Sequence, residues 1–414
     1  MTPCGKGWGP YWQSALSGQS SIRNISSLSV NGFPAKFAGE ILDFNPAEFV
    51  KQRKSLKLMS REIQLAIAAS HLAIEDSLIA LDDHDRDRFG ISLGTGIINN
   101  ALDEMGVSIR NGMDADGVFS MTKFAQDGIR SLYPLWLLKY LPNMPACHVS
   151  IIFGLRGPNN TITTSSAAGT QAVGEAFRII ERGDADLMLA GGTDSKINAL
   201  GMARFHSLGL LSSQNHCPET AYRPFDERHD GIFLGEGAGL VLLEEWEHAK
   251  KRGAKIYGEI VGYGSASDFN RDPRSTEDFT GKRLAMLGAL NDASTSPSEI
   301  DFLIANGSGI PTEDIQEAEA VQSVFGNSLG RLRVTGVKPI TGHLINGAGG
   351  VEIAAATLAL QNGLIPPIAN LETPDPACDL PFIQTKPDIL EAETCLFNSF
   401  GFGGQHASLV VRKA

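Results

Sequence analysis

Two helix starts in this chain hold side chains that could do chemistry. Ser166 lies in the run Thr-Ser-Ser-Ala-Ala-Gly at 164–169, and His343 lies in a turn before the small-residue helical pattern at 353–360. A helix amino terminus presents backbone N–H groups beside a side chain held there. Serine becomes a nucleophile only if a general base takes its proton, and His343 is the candidate base. Ser166 is therefore predicted to be either a nucleophile or a simple helix cap.

A third candidate, Asn306, follows the apolar run at 302–305 and precedes Gly307. Asparagine at the end of a strand is often only a turn residue. Its side-chain amide can also donate hydrogen bonds to a carbonyl oxygen. Both interpretations of Asn306 stay open from the residues alone.

The chain resembles itself in three ordered places, which pair residues 91–97 with 304–310, 162–169 with 340–347, and 233–241 with 402–410. Each match alone is weak, but three in the same order favour a duplicated architecture whose halves differ by loop insertions. We therefore expect an N-terminal half at 1–250 and a C-terminal half at 251–414. Pseudo-symmetry would then bring Ser166, Asn306 and His343 to one central pocket.

The elements around these residues follow from the apolar pattern. The runs at 187–190 and 302–305 are continuously apolar, as strands covered on both faces must be, and helical patterns lie between such runs. This alternation predicts a layered α/β fold with two sheets. The glycines at 235–239 precede a strand rather than a helix, which argues against a dinucleotide cofactor.

Composition narrows the function classes. The 414 residues are 42% hydrophobic and 20% charged, with a formal net charge of -12, which works against nucleic-acid binding. Apolar runs fall far short of about 18 residues, so no membrane span is expected. The five cysteines are scattered and never spaced as a metal or redox pair, which favours free thiols in a reducing cytoplasm. An acidic partner would have to dock on a local patch, and the basic run at 51–57 is either that patch or, as such runs most often are, a solvated helix face.

Taken together, the motifs resemble those of the β-ketoacyl-acyl-carrier-protein synthases, condensing enzymes of the thiolase fold. The resemblance covers nearly the whole chain and rests on residues 157–158, 223–226, 230–231, 235–239, 341–343 and 398–404, with Lys338 and Glu352. It implies a thiolase-like duplicated fold with αβαβα layers and two mixed sheets. It also implies substrates carried on the phosphopantetheine of an acyl carrier protein, with no bound cofactor or metal.

In that family a cysteine takes the acyl chain as a thioester, and two histidines help to decarboxylate a malonyl unit. The resemblance places Ser166 at the cysteine position, Asn306 at the first histidine position and His343 at the second. It gives Lys338 and Glu352 the role of the charged pair that supports the histidine site.

The resemblance also implies a substrate-binding segment. Phe400 matches the phenylalanine that gates the acyl pocket, and Gly401 and Phe402 follow it in the same glycine-rich stretch. Glycines beside an aromatic residue give the backbone freedom that a moving gate needs.

At positions 166 and 306 this chain has Ser and Asn where the family has Cys and His, and both differences are expected to lower condensation activity. A helix amino terminus can convert a thiol of pKa about 8.5 to a thiolate but cannot do so for a serine hydroxyl. An acyl-serine would also be an oxygen ester, less electrophilic than a thioester. Asn306 is a smaller loss, because its amide can still donate to a malonyl carbonyl, so malonyl binding or decarboxylation can persist.

Two hypotheses follow. The first is an acyltransferase of the β-ketoacyl synthase family that handles acyl groups on an acyl carrier protein, with Ser166 in place of the cysteine. The second is a non-condensing subunit, like a chain-length factor, that pairs with a cysteine-bearing ketosynthase. Family members are dimers, so we expect either a homodimer or a heterodimer of this kind.

The start of the chain is unusual for the family. Residues 1–5 resemble the stretch that follows the family's first strand, so the opening strand is missing from its expected place. Either the protein begins upstream of Met1, or one sheet lacks a strand.

Overall fold

Two sheets organise the described residues, which are 1–98, 101–269 and 278–414 of this computed structural model. The strands are β1 (Arg23–Asn24), β2 (Phe37–Ala38), β3 (Phe89–Gly94), β4 (Asn159–Ile162), β5 (Leu187–Ser195), β6 (Glu236–Glu244), β7 (Glu259–Ser267), β8 (Phe302–Ile304), β9 (Arg333–Thr335), β10 (Leu364–Ile365), β11 (Asp388–Ile389), β12 (Thr394–Phe400) and β13 (Gln405–Arg412). The helices are α1 (Trp8–Ser17), α2 (Arg61–Ser77), α3 (Leu102–Asn111), α4 (Met121–Lys123), α5 (Trp136–Tyr140), α6 (Met144–Phe153), α7 (Ala168–Glu181), α8 (Ala199–Ser207), α9 (Pro218–Ala221), α10 (Trp246–Lys251), α11 (Thr280–Asp292), α12 (Pro311–Phe325), α13 (Lys338–Thr341) and α14 (Ala348–Asn362).

The two main sheets have matching topologies. The N-terminal sheet has the order β4-β3-β5-β6, and the C-terminal sheet has the order β9-β8-β12-β13-β7. In the first, β3 is parallel to β4 and β5, and β6 is antiparallel to β5. In the second, β8 is parallel to β9 and β12, and β13 is antiparallel to β12. The duplicated architecture with two mixed sheets is thereby confirmed.

Helices form three layers around these sheets. One apolar cluster joins α7 and α14 to strands of both sheets, for example through Val173, Ile353 and Phe397, so these two helices lie in the middle. A second cluster packs α2 and α6 on the outer face of the N-terminal sheet, and a third packs α11 and α12 on the outer face of the C-terminal sheet. The result is the expected αβαβα layering.

The starts of α7 and α14 approach each other through glycines. A Cβ at Gly350 would lie 1.9 Å from the carbonyl oxygen of Gly239, and one at Gly349 would lie 2.4 Å from the backbone nitrogen of Thr170. Only glycine fits such close backbone contacts. The small residues of both helices therefore bring their amino termini together at the centre of the molecule.

No helix within the described ranges is long and apolar enough to cross a membrane.

Candidate active site

Ser166 lies in a strained turn at the start of α7. The 3₁₀ turn Ser165–Ala167 leads into the helix, and Ser165 has a φ of 58°, in the left-handed region that non-glycine residues seldom adopt. Ser166 is fully buried, and its Oγ has no hydrogen-bond partner among the described residues. The hydroxyl does not cap α7, so the helix-cap interpretation is wrong.

The corresponding turn of the C-terminal half holds Asn346 rather than His343. The 3₁₀ turn Ile345–Gly347 leads into α14, and Ile345 has a φ of 48°. The backbone N–H of Asn346 lies 3.3 Å from Oδ2 of Asp194, and its side-chain amide donates to the same oxygen. The expected pairing of 162–169 with 340–347 is therefore wrong by two residues. The repeat is defined by the matching backbone turns and not by matching residue types.

His343 precedes this turn and is held by its own backbone. Its N–H donates to the carbonyl of Phe233 at 2.7 Å, and its carbonyl accepts from the N–H of Gly235 at 2.9 Å. Nδ1 accepts from the N–H of Ile345 at 3.1 Å, whereas Nε2 has no partner among the described residues. Since a backbone N–H can only donate, the neutral imidazole carries its proton on Nε2.

Burial, and secondarily the charge of Lys338, lower the pKa of His343 well below its ordinary value. The imidazole is therefore neutral at pH 7 and presents an N–H donor at Nε2. Its other nitrogen is already occupied by the hydrogen bond from Ile345. In this arrangement His343 is a donor and not the base that Ser166 would need.

Asn306 is fixed immediately after β8. Its backbone N–H and that of Gly307 donate to the two carboxylate oxygens of Glu317 at 2.7 and 2.8 Å. Its Oδ1 accepts from Lys338 at 3.2 Å and from the N–H of Phe400 at 3.1 Å. These two donors orient the amide of Asn306. Asn306 is thus more than a turn residue.

A buried ion pair supports this arrangement. Nζ of Lys338 lies 2.7 Å from Oε1 of Glu352, and both side chains are 3% exposed. Lys338 also donates to the backbone carbonyl of Asn306. The lysine therefore connects α13, α14 and the residues that follow β8. Its buried charge is tolerated because these hydrogen bonds and the ion pair satisfy its N–H donors.

Of the two phenylalanines near the glycine-rich stretch, Phe402 contacts the imidazole. Phe400 is the last residue of β12, is fully buried and packs edge-on against His406, with ring centroids 5.1 Å apart. Phe402 lies in the following turn, is partly exposed, and has its ring 5.2 Å from that of His343. Because a mobile ring needs space, and Phe402 is the partly exposed one of these two rings, we expect the gate at Phe402 and not at Phe400.

One short stretch, residues 399–402, contacts all three predicted residues. Oγ of Ser399 donates to the carbonyl of Ser166 at 2.9 Å, the N–H of Phe400 binds Asn306, and Phe402 packs on His343. A Cβ at Gly401 would lie 3.0 Å from the carbonyl oxygen of Thr164 at the Ser166 turn, so the chain passes very close. All three predicted residues therefore adjoin this one stretch, and the common pocket expected for them stays a prediction.

Two supporting residues escaped the sequence analysis. Ser399 lies within the 398–404 motif, but its hydrogen bond to Ser166 depends on a tertiary contact. Glu317 lies on α12 among other acidic residues, and burial raises its pKa to about 7 although it accepts from Asn306 and Gly307. An acidic residue on a helix gives no signal of its own, because most such residues are solvated.

The assembled groups comprise one hydroxyl and two N–H donors. They can bind a carbonyl oxygen and stabilise negative charge that develops on it. Across the described ranges, no group of three or more His, Cys, Asp or Glu side chains could hold a metal ion.

Family models match most of the chain. The β-ketoacyl synthase N-terminal domain matches residues 1–249, and the β-ketoacyl synthase C-terminal domain matches residues 257–372. The 3-oxoacyl-[acyl-carrier-protein] synthase 2 of Synechocystis sp. is 35% identical over 413 residues, covering 100% of this chain and 96% of the relative. The protein of the same description from Coxiella burnetii is also 35% identical, with the same coverage.

Solved structures agree. A β-ketoacyl synthase from Burkholderia phymatum has a TM-score of 0.86 at 29% identity, covering 100% of this chain and 97% of that one. The ishigamide ketosynthase/chain length factor has a TM-score of 0.84 at 29% identity, covering 100% and 96%. A type II PKS acyl-carrier protein in complex with its ketosynthase gives 0.80 at 28% identity, covering 100% and 97%. This chain belongs to the β-ketoacyl synthase family.

Proposed function

We propose that this chain binds acyl groups presented as thioesters of acyl carrier protein, with the thioester carbonyl at Ser166, Asn306 and His343. The observation that supports the proposal is the set of unsatisfied polar groups. Ser166 Oγ and His343 Nε2 are buried without partners among the described residues. A buried unpaired donor costs about 1–3 kcal/mol, which a bound carbonyl oxygen would relieve.

Condensation by this chain alone is disfavoured. Acyl transfer to Ser166 requires removal of the hydroxyl proton, and the expected base, His343, is neutral with its proton on Nε2. The attacking atom would thus be an un-ionised hydroxyl. We expect an acyl-serine, and hence carbon–carbon bond formation, to be very slow.

Decarboxylation of a malonyl thioester needs no nucleophile. The bond from the methylene carbon to the carboxylate breaks, CO₂ leaves, and the electron pair forms an enolate. His343 and Asn306 would donate hydrogen bonds to the enolate oxygen, and the carbon would take a proton from water to give an acetyl thioester. One such donor is typically worth about 2.7–4 kcal/mol in the transition state.

A second candidate function is that of a non-condensing subunit. The edge strand β4 has Asn159 and Asn160 exposed, and Ile151 on the adjacent α6 is 75% exposed. An open edge beside an exposed apolar residue favours pairing with another chain. The similarity to a ketosynthase/chain length factor supports a cysteine-bearing ketosynthase as that chain, and a homodimer could use the same edge.

The carrier protein would dock on the basic run. Lys51, Arg53, Lys54 and Lys57 are exposed and could attract a negatively charged carrier. Arg61, which follows in sequence, instead pairs with Glu236 at 2.8 Å and is not part of this patch.

The test is incubation of the protein with malonyl-acyl carrier protein, followed by mass spectrometry of both proteins. We expect acetyl-acyl carrier protein to form while the mass of this chain stays unchanged. His343→Ala and the nearly isosteric Asn306→Asp should each slow decarboxylation about 10²–10³-fold. Ser166→Cys should acquire an acyl adduct on its thiol.

Ser165→Cys is the matched control, because it places a thiol one residue away in the same turn and should remain unmodified. An adduct on Ser166 of the unsubstituted protein would contradict the absence of a base. A folded protein that neither decarboxylates the substrate nor is acylated as Ser166→Cys, but co-purifies with a ketosynthase, would favour the second candidate.

A further inference from the structure

A buried histidine joins two carboxylates that lie on different segments of the chain. Nδ1 of His229 lies 2.9 Å from Oδ2 of Asp314 on α12, and its Nε2 lies 3.2 Å from Oδ2 of Asp375. The side chains of His229 and Asp314 are buried, whereas that of Asp375 is 23% exposed. No other cationic side chain of the described residues forms an ion pair with either carboxylate. His229 is therefore their common partner.

This geometry requires a particular protonation state of the ring. A neutral imidazole has one N–H donor and one acceptor nitrogen, and an ionised carboxylate can only accept. A neutral His229 would turn a nitrogen lone pair towards one of the two carboxylates, whereas the imidazolium donates to both. Burial alone would lower the pKa of His229, but the hydrogen bonds and charges of Asp314 and Asp375 outweigh it and raise the pKa above its ordinary value.

Asp314 also accepts hydrogen bonds from the Asn306 loop, residues 306–310. Its Oδ1 accepts from the N–H of Gly309 at 3.0 Å. Glu317, three residues further along α12, accepts from the N–H of Asn306 at 2.7 Å. Residues three apart lie on the same face of a helix, so one face of α12 fixes this loop at two points.

The same carboxylate holds a strained residue. Oδ2 of Asp314 accepts from the N–H of Phe225 at 2.9 Å, and the carbonyl of Phe225 accepts from the N–H of Asp375 at 2.8 Å. Phe225 has a φ of 63°, in the left-handed region, which persists only where the surroundings hold it. Its ring lies 3.0 Å from the place of a Cβ at Gly307, so it packs directly against the Asn306 loop. The two partners of His229 thus also support the loop through Phe225.

Other charged groups near His229 have partners of their own. Asp226 accepts from Arg228 at 2.9 Å and lies 3.8 Å from Arg223. Arg228 also pairs with Glu372 at 2.7 Å. The carboxylate of Asp230 accepts from two serines. None of these contacts replaces the bond between the histidine and α12.

Three further titratable groups face this cluster. The N–H of Cys378 donates to the carbonyl of Asp375 at 2.7 Å, and burial raises the pKa of its thiol, which therefore stays neutral. The hydroxyl of Tyr222 donates to the carbonyl of Ser308, and burial raises its pKa as well. Burial also raises the pKa of Glu317 to about 7. Glu317 is therefore the group whose titration has to be separated from that of the histidine.

We propose that His229 is a positioning residue that, as an imidazolium, holds the Asn306 loop in place through Asp314, and that loss of its proton loosens this loop. Without that proton, Asp314 is a buried carboxylate with no cationic partner in the described part of the chain. Leaving one member of a buried ion pair without its partner is strongly destabilising. This role of His229 is independent of the proposed function, because the loop is held in the same way whether or not a thioester binds.

The direction of the pH dependence follows from the raised pKa of His229. The folded protein favours the imidazolium, so the contribution of His229 is complete below the ordinary pKa of about 6.5. The contribution is lost as the pH rises from there through the pKa of the folded protein. The Asn306 loop should therefore be held most firmly in mild acid and loosen in mild alkali.

Hydrogen exchange at Gly309 and Phe225 measures this loosening, because Asp314 accepts from both amides. The whole protein is measured without substrate, and each exchange rate is divided by the intrinsic rate of an unprotected amide at the same pH. Between about pH 6 and about pH 9 this ratio should rise at least about tenfold, which corresponds to about one pKa unit. Nuclear magnetic resonance of the ring nitrogens should show His229 doubly protonated at about pH 6.

Two substitutions assign the effect to the charge of His229. His229→Arg keeps a cation with several N–H donors at every pH, so its ratio should rise about tenfold less than that of the unsubstituted protein. Since Glu317 titrates in both proteins, the difference between them reports on His229. His229→Gln has no charge, so its ratio should already be about tenfold higher at about pH 6. His216→Gln changes an exposed histidine, is the matched control and should behave as the unsubstituted protein.

An equal rise in His229→Arg would overturn the proposal, because the titrating group would then be Glu317. So would a His229 ring that carries a single proton at about pH 6, or a ratio in His229→Gln that matches the unsubstituted protein there. If neither variant folds, the unsubstituted protein still decides. A ring that is singly protonated in mild acid, or one that loses its second proton without faster exchange at Gly309 and Phe225, contradicts the role given to His229.

Discussion

The two central turns share a backbone but differ in what their side chains do. Each has a residue of positive φ, Ser165 or Ile345, followed by a 3₁₀ turn and a small-residue helix. In the C-terminal turn, Asn346 is tied to Asp194 by backbone and side chain. In the N-terminal turn, the hydroxyl of Ser166 is buried and unpaired among the described residues.

This difference separates a structural turn from one that presents a group. A buried polar atom without a partner is costly and calls for an explanation such as a ligand; Ser166 Oγ is such an atom, and so is Asn346 Oδ1, although the amide nitrogen of Asn346 is bound to Asp194. The duplicated architecture therefore contains the same backbone turn twice, with different side-chain roles. One copy bonds the start of α14 to Asp194 of the N-terminal sheet, and the other leaves the Ser166 hydroxyl buried and unpaired.

The largest effect on stability is expected in residues 399–402, which contact Ser166, Asn306 and His343. Phe400→Ala should destabilise the protein by about 3–5 kcal/mol, because it empties a fully buried site. Phe402→Ala should cost much less, because that ring is partly exposed. Urea unfolding of both variants measures this contrast.

Phe402→Ala, the variant with the smaller effect on stability, should have the larger effect on reagent access to position 166. In a Ser166→Cys background, Phe402→Ala should speed alkylation of Cys by iodoacetamide, since it removes the ring that covers His343. Equal unfolding costs for the two phenylalanine variants, or no gain in alkylation, would contradict the assignment of the gate to Phe402.

A smaller effect tests the turns themselves. Asn346→Ala should lower the free energy of unfolding by about 2–3 kcal/mol, because it leaves part of the buried Asp194 carboxylate without donors. Ser166→Ala should instead raise it by about 1–3 kcal/mol, since the buried hydroxyl has no partner and its removal relieves the cost of desolvation. If both substitutions cost the same, Ser166 is as structural as Asn346 and the comparison fails.

The fold could be predicted because burial leaves a pattern in sequence. The continuous apolar runs at 187–190 and 302–305 lie in β5 and β8, and the matched stretches at 233–241 and 402–410 contain most of β6 and β13. Strands covered on both faces have to be apolar, so the signal survives divergence of the two halves.

Details of the site depended on geometry that the sequence does not encode locally. The proton of His343 is placed by the backbone N–H of Ile345, which any residue would supply. The position of Phe402 depends on where β12 ends. Phe400 is the last residue of the strand and its side chain is buried, whereas Phe402 lies in the following turn, where its ring packs against His343. The two-residue error in the repeat arose because Asn346 has no resemblance to Ser166 in chemistry, only in backbone.

The smallest predicted effect concerns pH and decides whether Ser166 and His343 could cooperate as nucleophile and base. Because the pKa of His343 is lowered in the folded protein, only the unfolded chain gains this proton as the pH falls below about 6.5. Stability should then decrease by about 1.4 kcal/mol per pH unit, whereas above that pH this group contributes no dependence. His343→Gln should remove this component of the slope in urea unfolding between about pH 7 and pH 5.5.

The exposed His206→Gln is the matched control and should keep the unsubstituted protein's slope. Equal slopes for all three proteins would mean that His343 takes up a proton in the folded state as readily as in the unfolded chain. An imidazole that does so could accept the proton of Ser166. The N-terminal turn would then present an activated nucleophile, and the argument against an acyl-serine would lose its physical basis.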